Sequence, residues 1–210
     1  MNGEEPTRTR LIYPLALAAL AAIWLVMFLF GGGRLDGQLY EAIYAGPRPA
    51  LVTIARLFTA LGQPGPLVIA GFLVAGFLWW RAQGRLALAL MLVILIGRGL
   101  SEVQKYTIAR ARPALEPHLV VVKTSSFPSG HATSSMIFYL TLALALVPAG
   151  RWRRLAAGAA ILLSLLIGLS RVMLGVHWPS DVVGGWSFGL LWVLLTLRRA
   201  EHLLVGPPRR

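Results

Sequence analysis

LIYPLALAALAAIWLVMFLF, Leu11 to Phe30, is a run of twenty residues without a charge. As a helix rising about 1.5 Å per residue it covers about 30 Å, the hydrocarbon thickness of a bilayer. A cleaved leader has an apolar core of only about 7–15 residues before a small-residue cut site. This run is longer and stops at Gly31-Gly32-Gly33, so it reads as a retained membrane anchor.

Further apolar segments follow at about 66–80, 86–108, 131–147, 155–172 and 182–197. The second closes on Trp79 and Trp80 beside Arg81, as aromatic rings at a membrane interface do. Residues 34–65 are mixed and punctuated by Pro47, Pro49 and Pro64. There Leu51, Ile54, Leu57 and Leu61 fall near a helical period, which predicts short interfacial helices. The pattern predicts an all-α bundle of six transmembrane helices forming one domain over residues 1–210, with polar tails up to Arg10 and from Arg198.

Composition agrees. Only 13% of the chain is charged, against roughly a quarter in soluble domains. The net charge of +12 would suit a nucleic acid, but the arginines stand at the ends of apolar segments rather than along one basic face. That placement excludes nucleic acid as a partner and fits charges flanking a membrane, with membrane lipids as the surroundings. The chain has no cysteine, which excludes disulfides, thiolate catalysis and cysteine-bound metals.

Six spans put both tails on one side, together with the loops at 81–85 and 149–154. That side carries Arg8, Arg10, Arg81, Arg85, Arg151, Arg153 and Arg154, and the tail arginines 198, 199, 209 and 210. The positive-inside rule then makes both termini cytoplasmic. The opposite face is then extracytoplasmic.

Three polar segments fall at that extracytoplasmic face: Lys105-(six residues)-Arg112-Pro113, Pro128-Ser129-Gly130-His131, and Ser170-Arg171-(five residues)-His177-(three residues)-Asp181. Charge in a bilayer is costly and usually functional. Lys105 offers a point charge, and Arg112 and Arg171 offer planar forks matching phosphate oxygens. Ser129 and Gly130 stand where a helix should begin, and a helix start presents unpaired N–H groups to an anion. Ser170 is a further candidate donor. His177 and Asp181 are four apart: one helical turn if the last helix starts early, or a local loop contact if Pro179 opens it. Either way, a carboxylate at one ring nitrogen fixes the tautomer and raises the basicity of the other. His177 is the candidate nucleophile, forming a phosphohistidine. His131 is the candidate acid that protonates the leaving oxygen and then activates water.

These segments resemble, at every fixed position and in order, the three signature motifs of the type 2 phosphatidic acid phosphatase (PAP2) family. With the flanking apolar segments the resemblance covers most of the chain. It implies a PAP2-like helical bundle and a metal-independent membrane lipid phosphatase without cofactors, with the same roles for His177, His131 and Asp181. It also implies a lipid phosphate or diphosphate substrate: undecaprenyl diphosphate, phosphatidylglycerophosphate or phosphatidic acid. No cluster of carboxylates or histidines in the sequence supplies a metal cage. The alternatives are a lipid phosphotransferase using the same phosphohistidine, and a non-catalytic lipid-phosphate binder, which would need only the cations. A vanadate-dependent haloperoxidase shares the motifs, but those relatives are soluble.

Other residues take plainer readings. Arg98 and Glu102 read as an intrahelical pair on the third span. His118 reads as a solvated loop residue, His202 as part of the tail, and Arg110 and Lys123 as loop cations near a membrane surface. Glycines 158, 168, 184, 185 and 189 read as sites of close helix packing.

Overall fold

The computed structural model describes residues 5–204, with side chains described for residues 11–197. The described chain is all helical: α1 (Glu5–Phe30), α2 (Arg34–Ile43), α3 (Pro49–Leu61), α4 (Pro64–Trp80), α5 (Gly84–Ile108), α6 (Gly130–Leu146), α7 (Arg151–Met173) and α8 (Pro179–Leu204). The expected polar tails are shorter than the sequence pattern suggests, since α1 already begins at Glu5 and α8 continues to Leu204. The side chains of Arg8, Arg10, Arg198, Arg199, His202, Arg209 and Arg210 lie outside the described residues.

Among the described residues, four helices are long and apolar enough to cross a membrane: Leu11–Phe30 within α1, α5, α7 and Pro179–Leu197 within α8. α3 and α4 qualify together as one span bent by 42°. α6, at 17 residues, covers only about 25 Å, and its position explains its length. It packs against α5, α7 and α8 and buries Thr133, Met136, Ile137 and Phe138 rather than facing lipid. α1 packs along α8. Its outer surface exposes Leu11, Ile12, Leu15, Leu29 and Phe30, which is the surface a hydrocarbon solvent selects.

The segment expected at the interface forms α2 and α3. α3 carries its apolar period outwards: Ile54, Leu57 and Leu61 are exposed, while Ala55 and Thr59 are buried. The smaller, more polar face therefore meets the protein.

Small residues allow indoles to lie against helix backbones. Trp192 sits on Gly97 and donates to the Val93 carbonyl at 2.8 Å. Trp186 sits on Gly168 and donates to the Ser164 carbonyl at 2.9 Å. A side chain at either glycine would collide with the ring, and each indole N–H finds an acceptor where water is absent. Gly184, Gly185 and Gly189 are likewise in close contact, whereas Gly158 faces open space and does not serve packing as expected. Arg98 and Glu102 form the expected i,i+4 pair at 3.6 Å. His118 is exposed, with its Nε2 2.7 Å from the Pro113 carbonyl oxygen.

Candidate active site

The C-terminal ends of α1, α3, α5 and α7 and the starts of α6 and α8 meet at one end of the bundle, under the loop from Ala109 to Ser129. Near the opposite end, the Tyr13 hydroxyl of α1 donates to the Leu194 carbonyl of α8 at 2.8 Å.

Pro179 opens α8, so His177 precedes the helix and Asp181 lies in its first turn. Of the two geometries left open by the sequence, the contact between them is therefore a turn against a helix start. Asp181 Oδ2 accepts the Trp178 N–H at 2.9 Å, the side chain of the first turn closing back on the residue before the helix. The same oxygen accepts the Ser126 hydroxyl and stands 3.4 Å from His177 Nδ1. On the other side of the ring, Arg112 Nη1 is 3.2 Å from Nε2. A guanidinium only donates, so Nε2 must offer its lone pair and Nδ1 must carry the proton. The nitrogen aimed at the arginines is thus the one able to form a new bond.

His177 is buried, and its pKa is lowered well below the ordinary imidazole value. Burial is the largest cause, followed by Arg112, Lys105 and Arg171. The sequence reading has the carboxylate making this ring more basic. Instead, desolvation and three cations outweigh Asp181, whose charge is already shared with Arg110 and Ser126. The ring is neutral at pH 7 and needs no base to expose its lone pair.

The cations reach the site from different elements. Lys105, in the last turn of α5, donates to the Ser125 carbonyl at 2.9 Å, and its Cε lies beside Gly130. Arg112 is fixed by the carbonyls of Thr124, at 2.8 Å, and Val176. Arg171, in the last turn of α7, is buried; it donates through Nη1 to Thr59 Oγ1 at 2.6 Å, and its Nε has no partner among the described residues. Ser129 starts α6 with its N–H on the Asp181 carbonyl at 2.9 Å, and its buried Oγ is likewise unpartnered among the described residues. An unpartnered hydroxyl at a helix start, close to cations, is an arrangement that suits an anion. His131 is half-buried two positions further on, within the field of Arg171, His177, Lys105 and Arg112. Ser170 stands apart: its hydroxyl donates to the Ile167 carbonyl of its own helix at 2.6 Å. Its hydroxyl is directed to its own helix rather than to the cations.

Some residues at the site were not singled out by sequence. Arg110, read as an ordinary loop cation, pairs with Asp181 Oδ1 at 2.9 Å. Ser126 bridges His177 and Asp181, and Thr59 anchors Arg171. α2 supports the turn from below: Tyr40 is fully buried, reaches the Gly175 carbonyl at 3.2 Å and lies against Trp178. Burial raises the Tyr40 pKa to about 12, so it remains a neutral donor. Gly175 has φ +78°, and a Cβ there would meet both Tyr40 and Tyr44, so the turn needs glycine twice over.

A helical protein with apolar, membrane-length helices and three cations gathered at its helix ends belongs to a small set of membrane proteins. Comparison with known proteins narrows the set. The profile of the PAP2 superfamily matches residues 84–203. Phosphatidylglycerophosphatase B of Bacillus subtilis (strain 168) is 36% identical over 167 residues, covering 76% of this chain and 80% of that protein. An undecaprenyl-diphosphatase of Sulfolobus acidocaldarius is 31% identical over 181 residues, covering 79% and 85%. The crystal structure of a transmembrane PAP2-type phosphatidylglycerolphosphate phosphatase from Bacillus subtilis superposes with a TM-score of 0.79 at 29% identity, covering 92% of this chain and 99% of that one. This chain belongs to the PAP2 superfamily.

Proposed function

We propose that this protein is an integral membrane phosphatase that hydrolyses a lipid phosphate or diphosphate through a phosphohistidine on His177. The observation that carries the reading is the pairing of His177, Nδ1 towards Asp181 and Nε2 towards Arg112. A non-catalytic binder would have no use for that orientation.

In this reading the phosphoryl group sits among Lys105, Arg112, Arg171, the Ser129 hydroxyl and the start of α6 at Gly130, where its negative charges offset the cations. His177 Nε2 bonds to phosphorus as the bond to the lipid oxygen breaks, and His131 gives that oxygen a proton. His131 then takes a proton from water, the water oxygen bonds to phosphorus, and the N–P bond breaks to release inorganic phosphate. Asp181 holds the Nδ1 proton throughout. The charge stabilisation falls to the chain's own cations; among the described residues no group of three His, Cys, Asp or Glu side chains is gathered for a metal.

The relatives act on different lipids by name, phosphatidylglycerophosphate and undecaprenyl diphosphate among them. The substrate class proposed here is accordingly a lipid phosphate or diphosphate, phosphatidic acid included, with hydrolysis rather than transfer as the main outcome. We further place the six spans at α1, α4, α5, α6, α7 and α8 in one domain, with α2 and α3 at the interface, the termini in the cytoplasm and the site at the outer face of a bacterial plasma membrane.

The test is phosphate release by purified protein in detergent from matched lipids of each kind, with His177→Ala as the blank. Release from at least one lipid, loss in the variant and inhibition by vanadate are expected. Release by a folded His177→Ala protein refutes the nucleophile. Phosphate appearing only on an added acceptor alcohol makes the protein a transferase.

A further inference from the structure

We propose that Arg110, which lies outside the fixed motif positions, is a positioning residue for phosphoryl transfer. It locks the carboxylate of Asp181 to the end of α1 and so fixes the Nδ1 side of His177. The inference rests on the proposed reaction and adds to it a part supplied by the first helix.

The geometry is specific. Arg110 Nη1 donates to Asp181 Oδ1 at 2.9 Å and reaches Ser180 Oγ at 3.2 Å. Nη2 donates to the carbonyls of Met27, at 2.9 Å, and Phe28, at 2.6 Å. Those carbonyls belong to the last turn of α1, where helix oxygens have no helical partner and carry the negative end of the dipole. The guanidinium also lies 4.3 Å from the centre of the Phe127 ring. One side chain therefore caps α1, neutralises a fully buried carboxylate and links the two.

A phosphate-binding role does not fit. Both terminal nitrogens of Arg110 are engaged by protein acceptors, whereas Arg171 keeps a donor in reserve. What Arg110 controls is which carboxylate oxygen faces the histidine. With Oδ1 taken, Oδ2 alone remains for Ser126, the Trp178 N–H and His177 Nδ1. If Arg110 is removed, the carboxylate can turn, and the imidazole loses the partner that fixes its tautomer.

Asp36 braces the same helix start from α2. It is buried, and it accepts the N–H of Ser180 at 2.9 Å, the Ser180 hydroxyl, and the N–H of Gly32 at 2.7 Å. The turn between α1 and α2 and the first turn of α8 are thus held at two points, one through each residue preceding or carrying the catalytic carboxylate.

The test compares wild type, Arg110→Gln and Arg110→Lys. Phosphate release from dioctanoyl phosphatidate gives kcat and KM. The far-downfield proton resonance of the His177 Nδ1–H, assigned by its loss in His177→Asn, reports the histidine–carboxylate contact without turnover. Arg110→Gln should lower kcat at least tenfold with KM within twofold, and should broaden or shift the resonance. Arg110→Lys should restore part of both, because an ammonium can hold Asp181 or the α1 carbonyls but not the full set. A raised KM at unchanged kcat would make Arg110 a substrate ligand and overturn the proposal. A lower melting temperature with kcat and resonance unchanged would make its role merely structural and would equally overturn it. If wild type does not act on phosphatidate, the reading of that substrate fails, and the resonance still decides the role of Arg110.

Discussion

Gly185→Ala adds one methyl group at the crossing of α8 and α6. A Cβ there would stand 2.9 Å from the Ser129 carbonyl oxygen and 3.0 Å from both Ala132 Cβ and Thr133 Oγ1. Carbon needs about 3.5–4.0 Å from its neighbours, so the helices must part by roughly 0.5–1 Å. The first casualty is the bond from Ser129 N–H to the Asp181 carbonyl, now 2.9 Å, which fixes the proposed phosphate-binding turn relative to the proposed catalytic carboxylate. Overpacking of this kind costs about 1–3 kcal/mol, or a melting temperature lower by about 2–12 °C for a chain of this size. A displacement approaching 1 Å between reacting groups can cost on the order of a hundredfold in rate. The control is Gly158→Ala on α7, where nothing lies within 4 Å of the added methyl and the helix should gain up to about 1 kcal/mol. Thermal unfolding in detergent and phosphate release from a lipid phosphate would measure both variants. A Gly185→Ala protein with wild-type melting temperature and a rate within twofold of wild type would refute the reasoning.

Thr59→Val should lower kcat/KM roughly tenfold, since a charge-assisted bond is worth about 1.5–3 kcal/mol and Arg171 would lose its anchor; Thr59→Ser should keep most activity, and a kinetic comparison of the two decides. The depressed His177 pKa means that the unfolded chain binds the proton more readily than the folded one. Stability should therefore fall as pH drops below the ordinary imidazole value of about 6.5. The slope from this group is at most about 1.4 kcal/mol per pH unit, and melting curves of His177→Asn from pH 7.5 to 5 should be flatter than those of wild type by up to that amount. Turnover should survive dialysis against a strong chelator, and loss restored by a divalent cation would contradict the proposed charge stabilisation by protein cations.

Much of the site was legible because its residues answer to chemistry that a linear pattern can carry. Lys105, Arg112, His131, Arg171, His177 and Asp181 are charged or titratable groups in a chain where such groups are scarce. Arg110 was equally visible and was passed over, since nothing in its spacing shows that it meets the end of α1, more than eighty residues away. Thr59, Ser126 and Asp36 carry no signal of their own; each matters only through a partner brought near by folding. Ser170 illustrates the converse, a motif position whose hydroxyl turns back on its own helix. The helices α5, α7 and α8 followed hydropathy closely, and α6 filled the apolar segment at 131–147 with only 17 residues. α2 and α3 are the short helices that the period of 34–65 predicts, but which face of α3 meets the protein was not legible: Ile54, Leu57 and Leu61 are exposed and Ala55 and Thr59 buried.

The guanidinium of Arg112 resting against His177 Nε2 bears on which molecules the protein can react with at all. A ring 2% exposed, with its free electron pair screened by a cation, is a poor target for small reagents arriving from water. A phosphate ester delivered along the bilayer by its acyl chains can draw that cation onto its own oxygens and unmask the nitrogen as it docks. Selectivity against soluble phosphates would then begin with access, before any headgroup is recognised.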